Sequence, residues 1–426
     1  MNAEVSLDAL PGGTRPPSLR GNFAWTIAGN TVYGAGQWAI LSLLAKLGGG
    51  EMLGQYALAV AIAAPPAMLS HLNLRAVLAT DIKRCYPFRD YLAVRLGATA
   101  VSLAVIAAIA LLSGYGGTVQ AAIILMGLAL GAENVSDLYY ALMQRRERMD
   151  QIARSMIARG VTSAAALGIT LWLTRSLLWS VAALVLARLA VLAAYDRPRG
   201  TAGEERGSAG ISARWAIFRT ALPLGVSLML VSLTANVPRY AIEAKLGTRE
   251  LGAFAAVASF MTAGAMVINA LGQSATPRLA RYFAERDLRR FRGLSLRLLG
   301  LSAALGAAGV AGAALLGGFV LSLLYRPEYA AYNGLFVAVM GASVLSYTGA
   351  MLGYIMTSAR AFAPQMPLLA ATAATAAAAS WILIPAIGLH GAPAAVALAA
   401  CVQIGGAVWV LSRTMLKLQA PAEAAA

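Results

Sequence analysis

Twelve apolar stretches, separated by short polar segments, dominate this sequence. Each is about 20 residues long, enough for a helix to cross the roughly 30 Å hydrocarbon core of a bilayer. Hydrophobic residues make up 59% of the 426 residues and charged residues 12%, against about a quarter charged in soluble proteins. We therefore predict an all-α, polytopic membrane protein with transmembrane helices at 22–46, 55–73, 91–114, 118–143, 155–174, 177–195, 216–238, 251–275, 296–324, 332–357, 363–386 and 390–412.

The basic residues alternate between the two predicted sides of the membrane. With the N-terminus inside, 28 of the 34 lysines and arginines lie at cytoplasmic ends. This asymmetry follows the positive-inside rule and predicts both termini in the cytoplasm. The net charge of +16 is split into short clusters between apolar runs. We therefore expect contact with anionic membrane lipids rather than with nucleic acid. The six outer basic residues are Lys46, Arg175, Arg239, Lys245, Arg249 and Arg326.

A polar segment at 196–215 falls near the middle of the chain and predicts a cytoplasmic linker. It separates an N-terminal six-helix bundle, 22–195, from a C-terminal one, 216–412. Cytoplasmic tails are predicted at 1–21 and at 413–426. A second basic segment, 278–297, interleaves apolar and arginine residues and predicts an amphipathic helix along the cytoplasmic interface.

A short motif recurs in the two predicted halves. Ala45-Lys46-Leu47-Gly48 reappears as Ala244-Lys245-Leu246-Gly247, and each copy is followed by a glutamate and a Leu-Gly pair. Both copies join an outward-running helix to an inward-running one. The pattern therefore predicts a parallel repeat whose axis lies along the membrane normal. Chance similarity between glycine-rich turns is the alternative.

The repeat motif also carries a family resemblance, together with several further segments. These are Gly54–Ala59, Pro65-Pro66, Leu72–Arg75 with Asp81, Pro238-Arg239, Leu324–Tyr329, and Met356–Arg360 with Gln365. Residues 22–412 thus resemble the bacterial Wzx-type polysaccharide (O-antigen or oligosaccharide) flippases of the multidrug, oligosaccharidyl-lipid and polysaccharide exporter superfamily. The resemblance implies two related six-helix bundles around a central cavity. It also implies alternating access and substrates carried on a polyprenyl pyrophosphate.

The function predicted from this resemblance is translocation of lipid-linked oligosaccharide across a bacterial cytoplasmic (inner) membrane, for lipopolysaccharide or exopolysaccharide biosynthesis. Glycan polymerase machinery is a further expected partner. A cation-coupled multidrug antiporter of the same superfamily is the alternative. A membrane enzyme such as a glycan polymerase is disfavoured because every predicted outer connection is short. No metal-binding, nucleotide-binding or catalytic motif occurs, so we expect no cofactor, no metal and no enzymatic activity.

Charged residues inside a span are costly and therefore mark candidate sites. Glu133 and Asp137 lie four residues apart on one helix face. Asp137 is expected to pair with Arg95 or Arg188. Glu133 is predicted to lie near mid-membrane. Two interpretations of it remain open: it is either a titrating carboxylate that lines the cavity or a packing residue. Arg188 is our preferred partner for the substrate pyrophosphate, because guanidinium bonds two phosphate oxygens at once.

Neutral amides form the second group of candidates, since sugar hydroxyls need neutral donors and acceptors. Gln37 and Asn236 occupy matching positions in the two halves, and Arg239 follows near the outer end of its helix. Arg239 has two interpretations, attraction of pyrophosphate or snorkelling to the interface. Each amide has two as well, glycan binding or interhelical hydrogen bonding. The remaining amides of this group are Asn30, Asn269 and Gln273.

Overall fold

The computed structural model describes residues 19–81, 85–201 and 207–419. Helices form nearly all of this part of the chain, and no strand occurs in it. The all-α prediction is therefore confirmed. Parts of the predicted tails (1–18 and 420–426) and of the predicted linker (202–206) lie outside the described residues.

Fourteen α-helices follow one another in the described residues. They are α1 Leu19–Leu43, α2 Gly49–His71, α3 Leu74–Thr80, α4 Phe88–Leu112, α5 Gly117–Arg145, α6 Met149–Thr174, α7 Leu177–Val191, α8 Arg197–Thr201, α9 Ile211–Leu246, α10 Thr248–Ala284, α11 Leu288–Leu324, α12 Asn333–Ser358, α13 Gln365–Ile387 and α14 Gly391–Gln419. Two π-turns, Leu44–Gly48 and Leu192–Asp196, continue α1 and α7. Two 3-10 turns, Pro327–Tyr332 and Gly388–His390, precede α12 and α14.

Ten continuous apolar segments of the described chain are long enough to cross a membrane. Two of them, of 60 and 52 residues, each hold two long helices joined by a sharp turn. In those turns the backbone leaves the helix at Gly49 and Gly388, both with positive φ, a conformation that glycine adopts without strain. All helices except the short α3 and α8 therefore count as spans, which gives the predicted number of twelve.

Large apolar side chains cover the outside of the molecule. Leu112 is 86% exposed, Leu315 81% and Phe319 67%, whereas Arg95 is 0% exposed. In water such a surface would drive aggregation. In a bilayer it is solvated by lipid, and the charged residue is the one that has to be enclosed. The exposure pattern confirms a polytopic membrane protein.

Contacts divide the chain into two compact units. Unit 1 takes the described residues up to Leu41 together with Ile62–Met229. Unit 2 takes Ser42–Ala61 together with the described residues from Leu230 onward. Compared with the predicted halves, the end of α1 and the start of α2 group with unit 2, and the start of α9 groups with unit 1.

In unit 1, α5 packs against α3, α4 and α7, and α6 packs along α7. Helix α1 approaches α6 through small residues. A side chain on Gly29 would collide with the backbone of Ala153, and one on Gly36 with the backbone of Gly160. Small residues let helix backbones come close inside a membrane, where packing replaces the hydrophobic effect as the driving force.

The described end of the predicted linker is held to unit 1. The buried carboxylate of Asp90 accepts hydrogen bonds from the Ser208 hydroxyl at 2.7 Å and from the Ala209 amide at 2.7 Å. It also pairs with Arg214 at 3.0 Å. Residues 207–210 are therefore anchored to the start of α4 rather than loosely tethered.

In unit 2, α12 packs against α10, α11 and α14, and α13 packs along α14. The prediction of an interfacial helix at 278–297 is wrong. Helix α10 continues to Ala284 and α11 begins at Leu288, with a tight turn at Arg286 (φ 56°) between them. Two of the apolar residues interleaved with these arginines, Leu279 and Phe291, are fully buried in the core of unit 2. The periodicity came from two helices that end and begin inside the segment.

The sequence repeat has a structural counterpart within unit 2. Gly49 (φ 83°, ψ 177°), the first residue of α2, and Gly247 (φ 92°, ψ 171°), directly before α10, adopt the same backbone conformation. These two helices then cross at equivalent residues. A Cβ on Gly54 would collide with the Thr248 carbonyl, and one on Gly252 with the Gly50 carbonyl. Each helix contributes the same two positions, so the crossing is nearly two-fold symmetric.

We predict that Gly54→Leu destabilises the protein by about 1–3 kcal/mol or more, because the clash is with backbone that cannot move aside. Thermal unfolding of the purified protein in detergent measures this. Gly312→Leu on α11 is the matched control, since nothing lies within 4 Å of a Cβ there. Equal stability of the two variants would contradict the close crossing.

The membrane orientation also generates a prediction. Reporter fusions after Gly116, Gly247 and Tyr329 should report an external location, and fusions after Arg199 and Arg289 an internal one. The physical reason is the excess of arginine at the predicted cytoplasmic ends. An internal signal after Gly247 would overturn the two-half topology.

Candidate functional site

A polar network lies inside unit 1, on four of its long helices. We define it by its charged and phenolic members, Tyr33 on α1, Glu133 and Tyr140 on α5, Arg159 on α6, Arg188 on α7 and Asp196 in the π-turn after α7. Glu133 is twelve residues from the end of α5 at Arg145, which places it about 18 Å along the helix from that end. The polar network therefore reaches the middle of the apolar layer.

Glu133 is the centre of the polar network. Its Oε2 lies 2.9 Å from a guanidinium nitrogen of Arg188, and the Tyr33 hydroxyl donates to its Oε1 at 2.5 Å. Arg159 approaches the same carboxylate at 4.0 Å. Gln37 extends the chain of contacts by donating to the Tyr33 hydroxyl at 2.7 Å.

The second acid of the polar network is Asp196, which is fully buried. It pairs with Arg159 at 3.1 Å and accepts a hydrogen bond from Ser155 at 2.5 Å. Arg159 also donates to the Tyr140 hydroxyl at 2.9 Å. The π-turn Leu192–Asp196 changes the helical register at this point, as π-turns often do at functional positions. Two arginines thus balance two carboxylates.

These contacts correct the sequence-based pairing. Asp137 does not pair with Arg95 or Arg188. It lies 3.1 Å from Nε2 of His71 and 3.2 Å from Arg75. The reason is helix α3, which was not predicted from the sequence. It brings Arg75 against α5, where Arg75 pairs with Asp137, and Arg188 pairs with Glu133 instead.

Arg95 has a different role in unit 1. Its guanidinium is enclosed and donates to the carbonyl oxygens of Ser70 at 3.1 Å and of His71 at 2.6 Å. These carbonyls belong to the last turn of α2, which lacks intrahelical partners. Arg95 therefore caps α2 and is not reachable by a substrate.

In unit 2, Arg239 lies seven residues before the end of α9, about 10 Å into the helix. It donates to the Oδ1 of Asn236 at 3.1 Å, and its buried Nε has no hydrogen-bond partner. In the described part of the chain, no carboxylate lies within ion-pair distance of it. Asn236 in turn donates to Ser232, one turn earlier, at 2.8 Å.

The remaining predicted amides do not join these clusters. Asn30 is exposed and donates to the Thr26 carbonyl of its own helix at 2.8 Å. Asn269 is exposed on α10 and is approached by the Tyr354 hydroxyl at 3.4 Å. Gln273 is exposed one turn further along. The structure thus brings together Gln37, Glu133 and Arg188 in unit 1 and Asn236 with Arg239 in unit 2.

Sequence reasoning treated Arg159 and Asp196 as cytoplasmic charges. A signal was available for Arg159, which follows Ser155 by one helical turn and so shares a helix face with it. No comparable sequence signal exists for Asp196, because no residue pattern predicts the π-turn that directs its side chain inward.

Several solved structures share the fold of this chain. The lipid II flippase MurJ has a TM-score of 0.69 to this chain at 9% identity, covering 93% of this chain and 89% of that one. An inward-facing MATE multidrug resistance transporter of the MOP superfamily has a TM-score of 0.64 at 14% identity, covering 93% and 96%. A MOP superfamily transporter from Pyrococcus furiosus has a TM-score of 0.59 at 15% identity, covering 94% and 95%. The fold is that of the MOP superfamily transporters.

Sequence similarity then gives the family. The capsular polysaccharide biosynthesis protein CapF of Staphylococcus aureus is 24% identical over 335 residues, which are 78% of this chain and 84% of that protein. The family model described as polysaccharide biosynthesis protein matches residues 19–283. The chain belongs to this family of polysaccharide biosynthesis proteins, and it shares the fold of the MOP superfamily transporters. The family prediction is confirmed.

We predict that breaking the Glu133–Arg188 pair from one side destabilises the protein more than removing it entirely. Arg188 is buried and Glu133 is 29% exposed, so the loss of one partner leaves a partly enclosed charge less well compensated, at a cost of about 1–3 kcal/mol, below that of a fully buried pair. Glu133→Gln and Arg188→Gln should each lower the midpoint of thermal unfolding, and the double variant should recover most of the loss. Arg154→Gln, an exposed arginine on α6, is the control. Additive losses in the double variant would show that the two residues act independently.

Proposed function

We propose that the protein translocates an oligosaccharide linked to polyprenyl pyrophosphate across a bacterial cytoplasmic membrane, by alternating access. Three findings support this proposal. The family model concerns polysaccharide biosynthesis, the relative CapF concerns capsular polysaccharide, and the fold is shared with a lipid II flippase. The multidrug alternative rests on the fold alone, so the family match favours a saccharide.

The observation that carries the proposal is the state of Arg239. A pyrophosphate brings about two negative charges into a low-dielectric path, where an unpaired ion costs several kcal/mol. A cation that is already neutralised offers little compensation. Arg239 is held by a neutral amide, Asn236, and by no carboxylate of the described residues. Its positive charge therefore remains available for a phosphate.

The other two intramembrane arginines fit this role less well. Arg188, our preference from the sequence, is neutralised by Glu133 at 2.9 Å. Arg95 is enclosed by the last turn of α2. We therefore move the pyrophosphate role to Arg239 and assign Arg188 to the polar network that holds unit 1 together.

The amides complete the proposal. Asn236 positions the guanidinium of Arg239, while the exposed Asn30, Asn269 and Gln273 offer neutral donors and acceptors to sugar hydroxyls. Gln37 reaches Glu133 through Tyr33. Glu133 is 29% exposed, so this edge of the polar network is open to a proton or a hydroxyl. Membrane lipids surround the helices, both termini are cytoplasmic, and glycan polymerase machinery receives the product.

We predict that Arg239→Gln separates stability from transport. Transport should fall about tenfold or more, the effect of losing a charge-assisted hydrogen bond. Thermal stability should stay equal or rise, because removing a cation without a counter-ion relieves a desolvation cost. The measurement is cytoplasmic accumulation of radiolabelled glycan-lipid in cells that carry the variant as their sole copy.

Two variants serve as controls. Arg239→Lys should keep part of the activity because it keeps the charge, and Arg249→Gln, an exposed arginine at the start of α10, should transport normally. Normal transport by Arg239→Gln would remove the residue from the substrate path. Failure of that variant to fold would instead make it structural.

A further inference from the structure

A cavity of about 550 Å³ lies within unit 2, at the end of the helices that carries the turns at Gly247 and Gly388. The arginine distribution predicts this to be the outer end. The cavity is distinct from the polar network and from Arg239. Its volume falls in the range of small-molecule sites, roughly 300–1,000 Å³.

The polar side of the cavity is formed by Glu250, Tyr332 and His390. The Tyr332 hydroxyl lies 3.5 Å from both carboxylate oxygens of Glu250. Nε2 of His390 lies close to Gly334, another lining residue, 3.8 Å from where a Cβ would stand on that glycine. These groups together can accept and donate several hydrogen bonds.

The rest of the cavity lining is largely apolar. Leu246 at the end of α9, Leu335 at the start of α12, and Ile387 with Leu389 around the turn before α14 supply it. An apolar wall that faces a few convergent polar groups is typical of a small-molecule site. A pyranose ring matches a lining that combines the two kinds of group, since its C–H face is apolar and its hydroxyls lie around the edge.

The charge of the cavity excludes the phosphate end of the proposed substrate. Glu250 would repel a pyrophosphate. A metal ion is also a poor match, because the described residues contain no group of three or more histidines, cysteines or acids that could hold one. A carboxylate is, however, well suited to accept two adjacent hydroxyl groups through its two oxygens.

We propose that this cavity binds a pyranose of the saccharide head group at the outer end of unit 2. The proposal rests on the proposed function, because it supplies a subsite for the glycan end of the same substrate. Glu250 accepts two sugar hydroxyls, Tyr332 and His390 contact further hydroxyls, and the leucines cover the apolar face.

The test uses the full-length protein in lipid nanodiscs. The probe is the repeat-unit oligosaccharide of the cells' own polysaccharide, released by mild acid and freed of lipid and phosphate. Binding is followed by saturation-transfer difference NMR and by titration calorimetry. We expect saturable binding with the strongest transfer to the C–H protons of one pyranose.

Glu250→Gln and Tyr332→Phe should each weaken binding about tenfold, the loss expected for a hydrogen bond to a charged group. Glu328→Gln is the matched control, because Glu328 is an exposed acid of the neighbouring 3-10 turn and does not line the cavity. It should bind the oligosaccharide as the unchanged protein does.

Three outcomes would overturn the proposal. These are no transfer to the sugar, unchanged affinity in Glu250→Gln, and competition by inorganic pyrophosphate for the same site. Arg239→Gln should bind the free oligosaccharide normally. Failure of the cavity therefore leaves the transport proposal standing, and normal transport by Arg239→Gln, which would remove Arg239 from the substrate path, leaves binding in the cavity unaffected.

Discussion

The bilayer core contains no water to satisfy polar groups, and this single constraint explains most of the structure. Every backbone amide in a span needs an internal partner, so the spanning segments are helices. Every charge needs an enclosed partner, so Glu133 meets Arg188 and Asp196 meets Arg159. Arg95, without such an acid, finds carbonyl oxygens at the end of α2. Arg239 stands out because, among the described residues, its guanidinium bonds a neutral amide and no carboxylate lies within ion-pair distance of it.

The number of helices and the family were predictable from the sequence because the relevant signals are local. An apolar run of sufficient length predicts a span regardless of how the rest of the chain folds. Glycines such as Gly49 and Gly247 mark the turns between spans. The segment at 278–297 shows where local reasoning fails. Its apolar residues are periodic, but Arg286 turns the chain in the middle and directs Leu279 and Phe291 into the core of unit 2.

Ion-pair partners were not predictable because they depend on how helices rotate against one another. Asp137 and Glu133 share one helix face, yet the first meets Arg75 and the second Arg188. The distinction was set by helix α3, seven residues long, which carries no span signal. Individual amides can be selected as candidates because a polar residue in an apolar helix is visible in the sequence. Their partners, such as Tyr33 for Gln37, again required the fold.

The crossing of α2 and α10 bears on how such a chain can arise. Gly54 meets the Thr248 carbonyl while Gly252 meets the Gly50 carbonyl, so each helix contacts its own counterpart in the other repeat. In a homodimer of a half-length chain, the same contact would be isologous, with one glycine serving both sides of a two-fold axis. Gene fusion would carry that interface over unchanged, while freeing each copy to vary separately. The fused chain must keep two glycines, Gly54 and Gly252, where its half-length counterpart would need one. A mutation of either glycine in the fused chain disturbs the crossing from one helix only, whereas in the homodimer it would disturb the crossing from both.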